Sequence, residues 1–307
     1  MTKPIDHDAR MTRARLSLDG LATGDAFGEC FFYFDDDINP RIRERVIPAG
    51  LWRYTDDTVM ALAIVEILAD CGAIDQDALA RRFAEKYALD PGRGYGGMAH
   101  RILSELGRGL PWQVAAGRAF DGMGSMGNGG AMRAGPIGAY FADDLNLSAE
   151  QARRSAEVTH AHREGQAGAI AVAVAAAWAA GRRGDAHQLL PSVLSFVQES
   201  ETREGLVRAA KLPPDCDVRS AVKALGNGSR VLAQDTVPFA LWCAARHLDN
   251  YEEALWTTVA GLGDVDTTCA IVGSIVALSD GGASMPAEWR DARESLDVMS
   301  QRGAAGV

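Results

Sequence analysis

The sequence lacks the features that mark disulfide-bonded, secreted and membrane-spanning proteins. Its five cysteines are scattered and form no C-x-x-C pair, a pattern typical of buried thiols in a reducing compartment. The N-terminus carries acidic residues and no apolar signal core. The longest apolar run, residues 167–181, is mostly alanine and too short to cross a membrane. We therefore expect a cytoplasmic protein that does not bind a membrane.

Positive charge is also scarce. The chain has 31 lysines and arginines against 41 aspartates and glutamates, which gives a formal net charge of −10. No cluster of basic residues is dense enough to bind a polyanion, and the overall charge would repel one. The composition therefore argues against a nucleic-acid partner. We expect a monomer that acts on a smaller ligand.

Alternating strand patterns are nearly absent, whereas apolar residues recur at helical spacing along most of the chain. With 307 residues, 47% of them hydrophobic, the chain is long enough to bury one large core. We therefore predict an all-α fold in a single domain over residues 1–307, with a core at about 12–280 and the alanine-rich helix at its centre. The predicted helices are 11–24, 58–70, 75–89, 97–107, 148–159, 165–181, 234–248, 251–260, 267–279 and, at the C-terminus, about 286–301.

Two apolar helices are each preceded by a cluster of carboxylates and hydroxyls. The six side chains are Thr55, Asp56, Asp57, Asp264, Asp266 and Thr267. Helix capping explains part of each cluster, because an oxygen at a helix start accepts hydrogen bonds from free backbone N–H groups and contributes about 1 kcal/mol. A cap needs one oxygen where each start supplies three, and hard oxygen ligands suit Mg²⁺ or Mn²⁺. The residues alone leave both interpretations open.

Other segments carry groups that could contact a ligand. Asp25 and Glu29 lie one helical turn apart near the end of the first predicted helix, where solvent-facing carboxylates are the simpler interpretation. The glycine-rich stretch 124–138 exposes backbone N–H groups that suit an anion, although a plain turn has the same composition. Residues 92–97 form a second stretch of this kind, with Tyr95 available to stack or to donate a hydrogen bond.

Six short motifs carry a resemblance to a known family. They are GDAFGE (24–29), YTDDT (54–58), GYG (94–96), GNGGAMR (127–133), TH (159–160) and GDVDT (263–267). In this order, and above all in the pairing of TDDT with D-x-D-T, the sequence resembles the ADP-ribosylglycohydrolase family. That family includes the dinitrogenase reductase-activating glycohydrolases and the eukaryotic ADP-ribosylhydrolases. The resemblance runs from about residue 12 to about residue 280.

The resemblance implies an orthogonal all-α bundle that holds two divalent cations, Mg²⁺ or Mn²⁺, at the bottom of a cleft for ADP-ribose. The implied metal ligands are Thr55, Asp56, Asp57, Asp264, Asp266, Thr267 and, as a gating carboxylate near the second ion, Glu29. The implied substrate contacts are Tyr95, Gly124, Ser125, Met126, Gly127, Asn128, Gly129 and His160. Glu29, Asp56 and Asp264 are the candidates for the general acid or base, and the sequence does not choose among them.

The implied reaction is hydrolysis of the glycosidic bond between ADP-ribose and a modified protein. We expect arginine as the leaving group, because the acidic run Asp35, Asp36 and Asp37 follows the expected gate and would pair with a guanidinium; a solvated loop explains the same run. The alternatives are ADP-ribosyl-serine, O-acetyl-ADP-ribose, and a catalytically silent ADP-ribose-binding protein. The sequence departs from the family at two positions. Leu262 stands where the last signature often has glycine, and Met126 stands where some members place an aromatic residue against adenine.

Overall fold

The computed structural model describes residues 3–32, 38–181 and 183–297, with the backbone alone at Ile38 and Asn39. These residues form α-helices joined by loops and two 3₁₀ turns, and they contain no β-strand beyond two isolated bridges. The helices are α1 His7–Glu29, α2 Ile38–Arg43, α3 Asp56–Cys71, α4 Gln76–Leu89, α5 Gly97–Gly107, α6 Trp112–Gly117, α7 Gly135–Tyr140, α8 Leu145–Glu157, α9 Arg163–Ala180, α10 Leu189–Leu194, α11 Glu201–Lys211, α12 Val218–Leu225, α13 Ala233–Arg246, α14 Tyr251–Val259, α15 Val265–Ser279 and α16 Ala287–Ala292. The all-α prediction is confirmed.

Helix α1 packs directly against helix α15, far away in the chain. The contact is made by glycines one turn apart. A Cβ atom on Gly24 would lie 2.2 Å from the carbonyl oxygen of Cys269, and one on Gly20 would lie 2.4 Å from that of Gly273. Gly28 continues the same face toward the start of α15. The two helices run antiparallel at backbone contact, so the N-terminus of α15 lies beside the C-terminal half of α1.

Helix α9 occupies the centre, as its alanine content predicts. Its residues from Ala171 to Trp178 are all at most 2% exposed, and it packs against α7, α8, α13 and α15. The approach of α7 is close, because a Cβ atom on Gly138 would lie 1.9 Å from the carbonyl oxygen of Ala173. Small side chains thus allow several helices to surround α9.

Each predicted helix corresponds to a helix in the structure, but several helix ends differ, and the structure has further helices that were not predicted. The predicted C-terminal helix, 286–301, is wrong beyond Ala292, because Arg293 is extended and pairs with Trp52; residues 298–301 lie outside the described part of the chain. Between the predicted helices 11–24 and 58–70 the structure has the additional short helix α2. The helices that the periodicity missed are α6, α7, α10, α11 and α12.

The segment after α16 holds in place the residues that precede α3. Trp52 N–H donates to the carbonyl oxygen of Ala292 at 2.8 Å, and Glu294 N–H donates to that of Trp52 at 2.8 Å. The Glu294 carboxylate holds the guanidinium of Arg93 through two contacts, at 2.6 and 2.9 Å. The carbonyl of Arg93 in turn accepts from Asp56 N–H at 2.7 Å. This C-terminal strap, residues 292–294, therefore reaches the first acidic helix start through Arg93.

Two observations bear on the expected compartment. No helix in the described part of the chain combines the length and the apolar content needed to cross a membrane. All five cysteines are free thiols; Cys243 and Cys269 are buried as expected, whereas Cys30, Cys71 and Cys216 are only partly buried. The cytoplasmic location itself stays an expectation.

Candidate metal centre and ligand cavity

A cavity of about 480 Å³ opens above the N-termini of α3 and α15. Its floor carries Asp56, Asp57, Asp264, Asp266 and Thr267. The fold therefore brings the two acidic helix starts together, and the close packing of α1 on α15 is what places one beside the other. A cavity of this size suits a nucleotide-sized ligand.

Asp25 connects the floor to α1, and the expectation that it faces solvent is wrong. It is fully buried. Its carboxylate accepts from the backbone N–H and the hydroxyl of Thr55 at 3.0 Å each, and from the Thr58 hydroxyl at 2.5 Å. Carboxylate oxygens of Asp25, Asp57 and Asp266 all lie within 4.8 Å of one another. Asp25 thus caps α3 and adds a negative charge below the floor.

The negative charges of the floor are not balanced by the protein. Burial, followed by the charge of Asp266, raises the pKa of Asp25 to about 7. Burial and neighbouring carboxylates also raise the pKa values of Asp56, Asp57 and Asp264 well above the usual range. Repulsion of this kind disappears when a cation binds between the carboxylates.

Unpartnered oxygen atoms show that this donor set fits a divalent cation. Asp57 Oδ2 and Asp266 Oδ1 are buried and have no hydrogen-bond partner. Buried carboxylate oxygens are rarely left so unless an ion or water occupies the space. Aspartate and threonine oxygens are the hard ligands that Mg²⁺ and Mn²⁺ prefer. The chemistry of the floor therefore matches the cofactor that the sequence predicts.

The structure shows which of the oxygens at the two helix starts serve as helix caps. At α3, the Thr55 hydroxyl accepts from Asp57 N–H at 3.4 Å, so Thr55 acts as an N-cap. At α15, the N-cap residue Asp264 makes no side-chain cap hydrogen bond; its carboxylate accepts from Asn128 Nδ2 at 2.6 Å. The Thr267 hydroxyl donates across to Asp57 at 3.4 Å. Capping thus accounts for Thr55 but not for the acids of α15.

Glu29, the predicted gating carboxylate, is the last residue of α1. It is not among the described residues that line the cavity, whereas Phe32, one helical turn later, is. The acidic run 35–37 that motivated the choice of arginine lies outside the described residues. The gating role of Glu29 stays a prediction.

The glycine-rich loop lies along one wall of the cavity. Ser125, Gly127, Asn128 and Gly129 line it, and Gly124 turns the chain with a φ of +78°. A Cβ atom at Gly124 would lie 2.5 Å from the backbone nitrogen of residue 162, so no larger residue fits there. The bare backbone suits close approach of an anionic group.

Three of the predicted contact residues, Tyr95, Gly124 and Met126, are absent from the described cavity lining. The sulfur of Met126 lies 4.0 Å from Gln234 Nε2. The Tyr95 ring is 5% exposed and packs edge-on against Tyr87, while its glycine neighbours line the cavity. The aromatic residue that does reach the lining beside the glycine loop is Phe120, which is 47% exposed.

Sequence reasoning missed several residues of the rim. Phe120 and Val231 line the cavity with φ values of +50° and +55°, and Val231 is 54% exposed. A β-branched residue in this region is strained. Arg230 lies beside it and pairs with Asp235 at 3.1 Å. No periodic pattern marks these residues, because they lie in loops whose shape depends on the helices around them.

His160 lies in the cavity wall, as the resemblance implies. Burial, with a further contribution from the charge of Arg133, lowers the pKa of His160 to about 3. The ring is therefore neutral at pH 7. Its Nδ1 atom lies 2.7 Å from the hydroxyl of Thr159.

The electrostatics of the floor predict how the metal-free protein responds to pH. Asp25 has a folded-state pKa of about 7 against 3.8 in the unfolded chain, so the native state holds the extra proton between these values. Stability without metal should therefore fall as pH rises toward and beyond 7, and the raised pKa values of Asp56, Asp57 and Asp264 extend the fall upward.

Melting temperatures in a chelator at pH 6.5 and pH 8.5 check this prediction. His160 opposes this change only weakly, because the unfolded chain, with a histidine pKa of 6.5, has about half a proton left to lose above pH 6.5 while the folded ring is already neutral. We expect a melting temperature several degrees lower at pH 8.5, given about 2–4 °C for each kcal/mol in a chain of this size. Addition of Mg²⁺ or Mn²⁺ should abolish the difference. A metal-free protein that is more stable at pH 8.5 would contradict the charge balance described above.

Comparison with known proteins gives a consistent result. The model of the family described as ADP-ribosylglycohydrolase matches residues 6–305. A human protein named ADP-ribosylhydrolase ARH3 is 30% identical over 283 residues, which cover 81% of this chain and 77% of the human one. An uncharacterised protein of Archaeoglobus fulgidus is 31% identical over 254 residues, covering 82% and 79%.

A solved structure agrees with the sequence relatives. A chain described as part of an ADP-ribosylglycohydrolase-related protein complex superposes with a TM-score of 0.66 at 26% identity. The superposition covers 95% of this chain and 96% of the other. The similarity therefore extends over nearly the whole chain.

Proposed function

The chain belongs to the ADP-ribosylglycohydrolase family, and from this premise we propose that it is a metal-dependent hydrolase that releases ADP-ribose from a modified target. The observation that carries the proposal is the convergence of the two acidic helix starts on the floor of one cavity beside the glycine-rich loop. We further propose that it acts as a monomer in the cytoplasm, with residues 1–307 forming one domain.

The floor residues would hold two divalent cations, Mg²⁺ or Mn²⁺. The proposed ligands are the floor residues Asp56, Asp57, Asp264, Asp266 and Thr267, together with Thr55 and Glu29, which are not among the described residues that line the cavity. When bound, such ions would supply Lewis acidity toward the oxygens of the distal ribose. Asp25 keeps the α3 start in place from below, and Asn128 holds the carboxylate of Asp264 from the side. These two contacts fix the donor positions before any ligand arrives.

The walls suggest how ADP-ribose lies in the cavity. The backbone of Gly127 and Gly129 would face the diphosphate, with His160 beside it. The apolar side chains of Met98, Ile102 and Leu103 also line the cavity, as does Phe120 beside the glycine loop, and they offer a surface for adenine. The distal ribose then lies over the acidic floor, where its C1 bond to the target is cleaved.

Hydrolysis of a glycosidic bond needs one carboxyl group that gives a proton and one that accepts a proton. Asp56 and Asp264 both line the cavity, and burial favours their protonated forms. They are our proposed acid and base candidates, with Glu29 as the third. Several carboxyl groups sharing one floor allow a proton to remain on one of them while a neighbour stays ionised.

The described rim favours an uncharged leaving group joined through oxygen. Phe32, Phe120 and Val231 are apolar and partly exposed at the rim. The charge of Arg230 there is already paired with Asp235. A guanidinium leaving group would leave water for this apolar surface without a described carboxylate partner. We therefore propose a serine-type or O-acyl linkage as the preferred substrate.

Arginine is the second candidate. The acidic run Asp35, Asp36 and Asp37 follows Phe32 in the chain, and the net charge of −10 favours a cationic target. Both candidates share the metal floor and differ only in what surrounds the leaving group. A catalytically silent ADP-ribose-binding protein would share the floor as well.

Release of ADP-ribose from matched serine-linked and arginine-linked peptides tests the proposal. With Mg²⁺ or Mn²⁺ at equal concentrations, we expect at least about tenfold faster turnover of the serine-linked peptide, a difference typical of one mismatched group in a pocket. Faster turnover of the arginine-linked peptide would reverse the assignment of the leaving group. Tight binding of ADP-ribose without release from either peptide, or from O-acetyl-ADP-ribose, would favour the silent protein.

A further inference from the structure

Arg133 is an unusual residue beside the cavity, because its guanidinium is buried among apolar groups. The residue is 1% exposed. Its guanidinium lies 4.6 Å from the ring centroid of Phe83 and 3.5 Å from the sulfur of Met60, and no ion pair to it occurs among the described residues. Nη2 donates to the carbonyl oxygen of Ser155 at 3.3 Å and to the hydroxyl of Thr159 at 2.8 Å.

These contacts favour one direction for the hydrogen bond between Thr159 and His160. A guanidinium can only donate, so the Thr159 oxygen accepts from Arg133. A buried hydroxyl hydrogen is rarely left without an acceptor, and the one other partner among the described contacts of this hydroxyl is Nδ1 of His160, at 2.7 Å. Donation from Thr159 to Nδ1 satisfies both groups and leaves the ring proton of the neutral imidazole on Nε2.

The Nε2 atom lies against the glycine-rich loop. A Cβ atom placed on Gly127 or Gly129 would be 3.3 or 3.4 Å from it. The ring thus adds an N–H group to a wall that already exposes backbone N–H groups. Donors that converge on one part of a cavity suit an anionic oxygen.

We propose that Arg133 and Thr159 are positioning residues that fix His160 in the tautomer protonated at Nε2, so that His160 serves as a hydrogen-bond donor to an anionic oxygen of the ligand. The identity of that ligand as ADP-ribose rests on the proposed function; the tautomer does not. The charge of Arg133 supports both the neutral ring and its role as a donor to an anion, because it opposes protonation of the ring and attracts an anionic group.

NMR of the ¹⁵N-labelled imidazoles in the full chain tests the tautomer. We expect the His160 signals, assigned by their loss in His160→Gln, to report a ring protonated at Nε2. Thr159→Val, which keeps the shape but lacks the hydroxyl, should produce a mixture of tautomers. The matched control is Thr257→Val. The Thr257 hydroxyl lies 2.9 Å from Nε2 of His247, so this substitution should alter the signals of that ring alone. A wild-type ring protonated at Nδ1, or an unchanged ring in Thr159→Val, overturns the proposal.

Calorimetric titration with ADP-ribose tests the donor role. Thr159→Val and His160→Phe should each weaken binding about tenfold, the effect of one hydrogen bond to a charged group. His160→Gln should stay within about threefold of wild type, since its amide also donates. Equal losses in Gln and Phe variants overturn the donor role. Wild-type protein that fails to bind ADP-ribose refutes the proposed function and this ligand, while the NMR result still decides the tautomer.

Discussion

Replacement of Asp266 by asparagine is expected to remove both the hydrolase activity and the stabilisation by divalent cations. The substitution keeps size and a carbonyl oxygen, so a purely capping residue would tolerate it. Asp266 has a buried oxygen without a partner and lies in the group of carboxylates within 4.8 Å of one another. Loss of its charge should lower kcat/KM by more than about 100-fold, the upper range for groups that only orient a metal ligand.

The same substitution should have the opposite effect on the metal-free protein. The charge of Asp266 raises the pKa values of Asp25 and Asp56, so its removal relieves repulsion and should raise the melting temperature in a chelator. Asp144→Asn is the matched control, because Asp144 caps α8 through two backbone N–H groups outside the cavity. Full Mg²⁺-dependent activity in Asp266→Asn would disprove the metal floor.

Replacement of Gly24 by alanine is expected to separate α1 from α15 and to disable the site without touching it. The added Cβ atom would lie 2.2 Å from the carbonyl oxygen and 2.8 Å from the carbonyl carbon of Cys269, and neither backbone atom can move without moving α15. Overpacking in a core costs about 1–3 kcal/mol, and backbone contact places this case at or above the upper end. Chemical denaturation should show the loss.

The matched control is Gly117→Ala at the end of α6, where an added Cβ atom meets nothing within 4 Å. This variant should be as stable as wild type or slightly more so, because alanine reduces the entropy of the unfolded chain. Metal-dependent stabilisation should weaken in Gly24→Ala and persist in Gly117→Ala. If Gly24→Ala retained both stability and metal response, the close helix packing would not determine the site.

Helical periodicity predicted the long, buried helices well, because tertiary packing and local preference agree there. Helix α9 is alanine-rich and central, and α3, α4, α5 and α14 begin within two residues of their predicted starts. The helices from α10 to α12 were missed although α11 and α12 each have one apolar face; with 6, 11 and 8 residues they offer few turns over which a period can be recognised. The C-terminal prediction failed because Arg293 pairs with Trp52, a contact between distant residues that no local pattern encodes.

The candidate site could be predicted in part because its ligands occur in compact motifs. Asp56 and Asp266 stand next to their own helix starts, and chemistry alone suggests a shared cation. Asp25 was misjudged because its surroundings depend on the glycine face of α1, which gives no sign of its partner helix. Phe120 could not be foreseen, since its position in the cavity follows from a positive φ in a loop.

The antiparallel pairing of α1 with α15 also constrains when the protein can fold during synthesis. Cys269 leaves the ribosome about 245 residues after Gly24. At about 5–20 residues per second, the glycine face of α1 waits roughly 12–50 s for its partner. Contacts this distant in sequence slow folding and leave apolar surface uncovered meanwhile. The glycine face of α1 is thus among the last surfaces to be covered, although α3 and α7 can pack on other faces of the helix earlier. Chaperones that bind nascent chains have that interval in which to protect it.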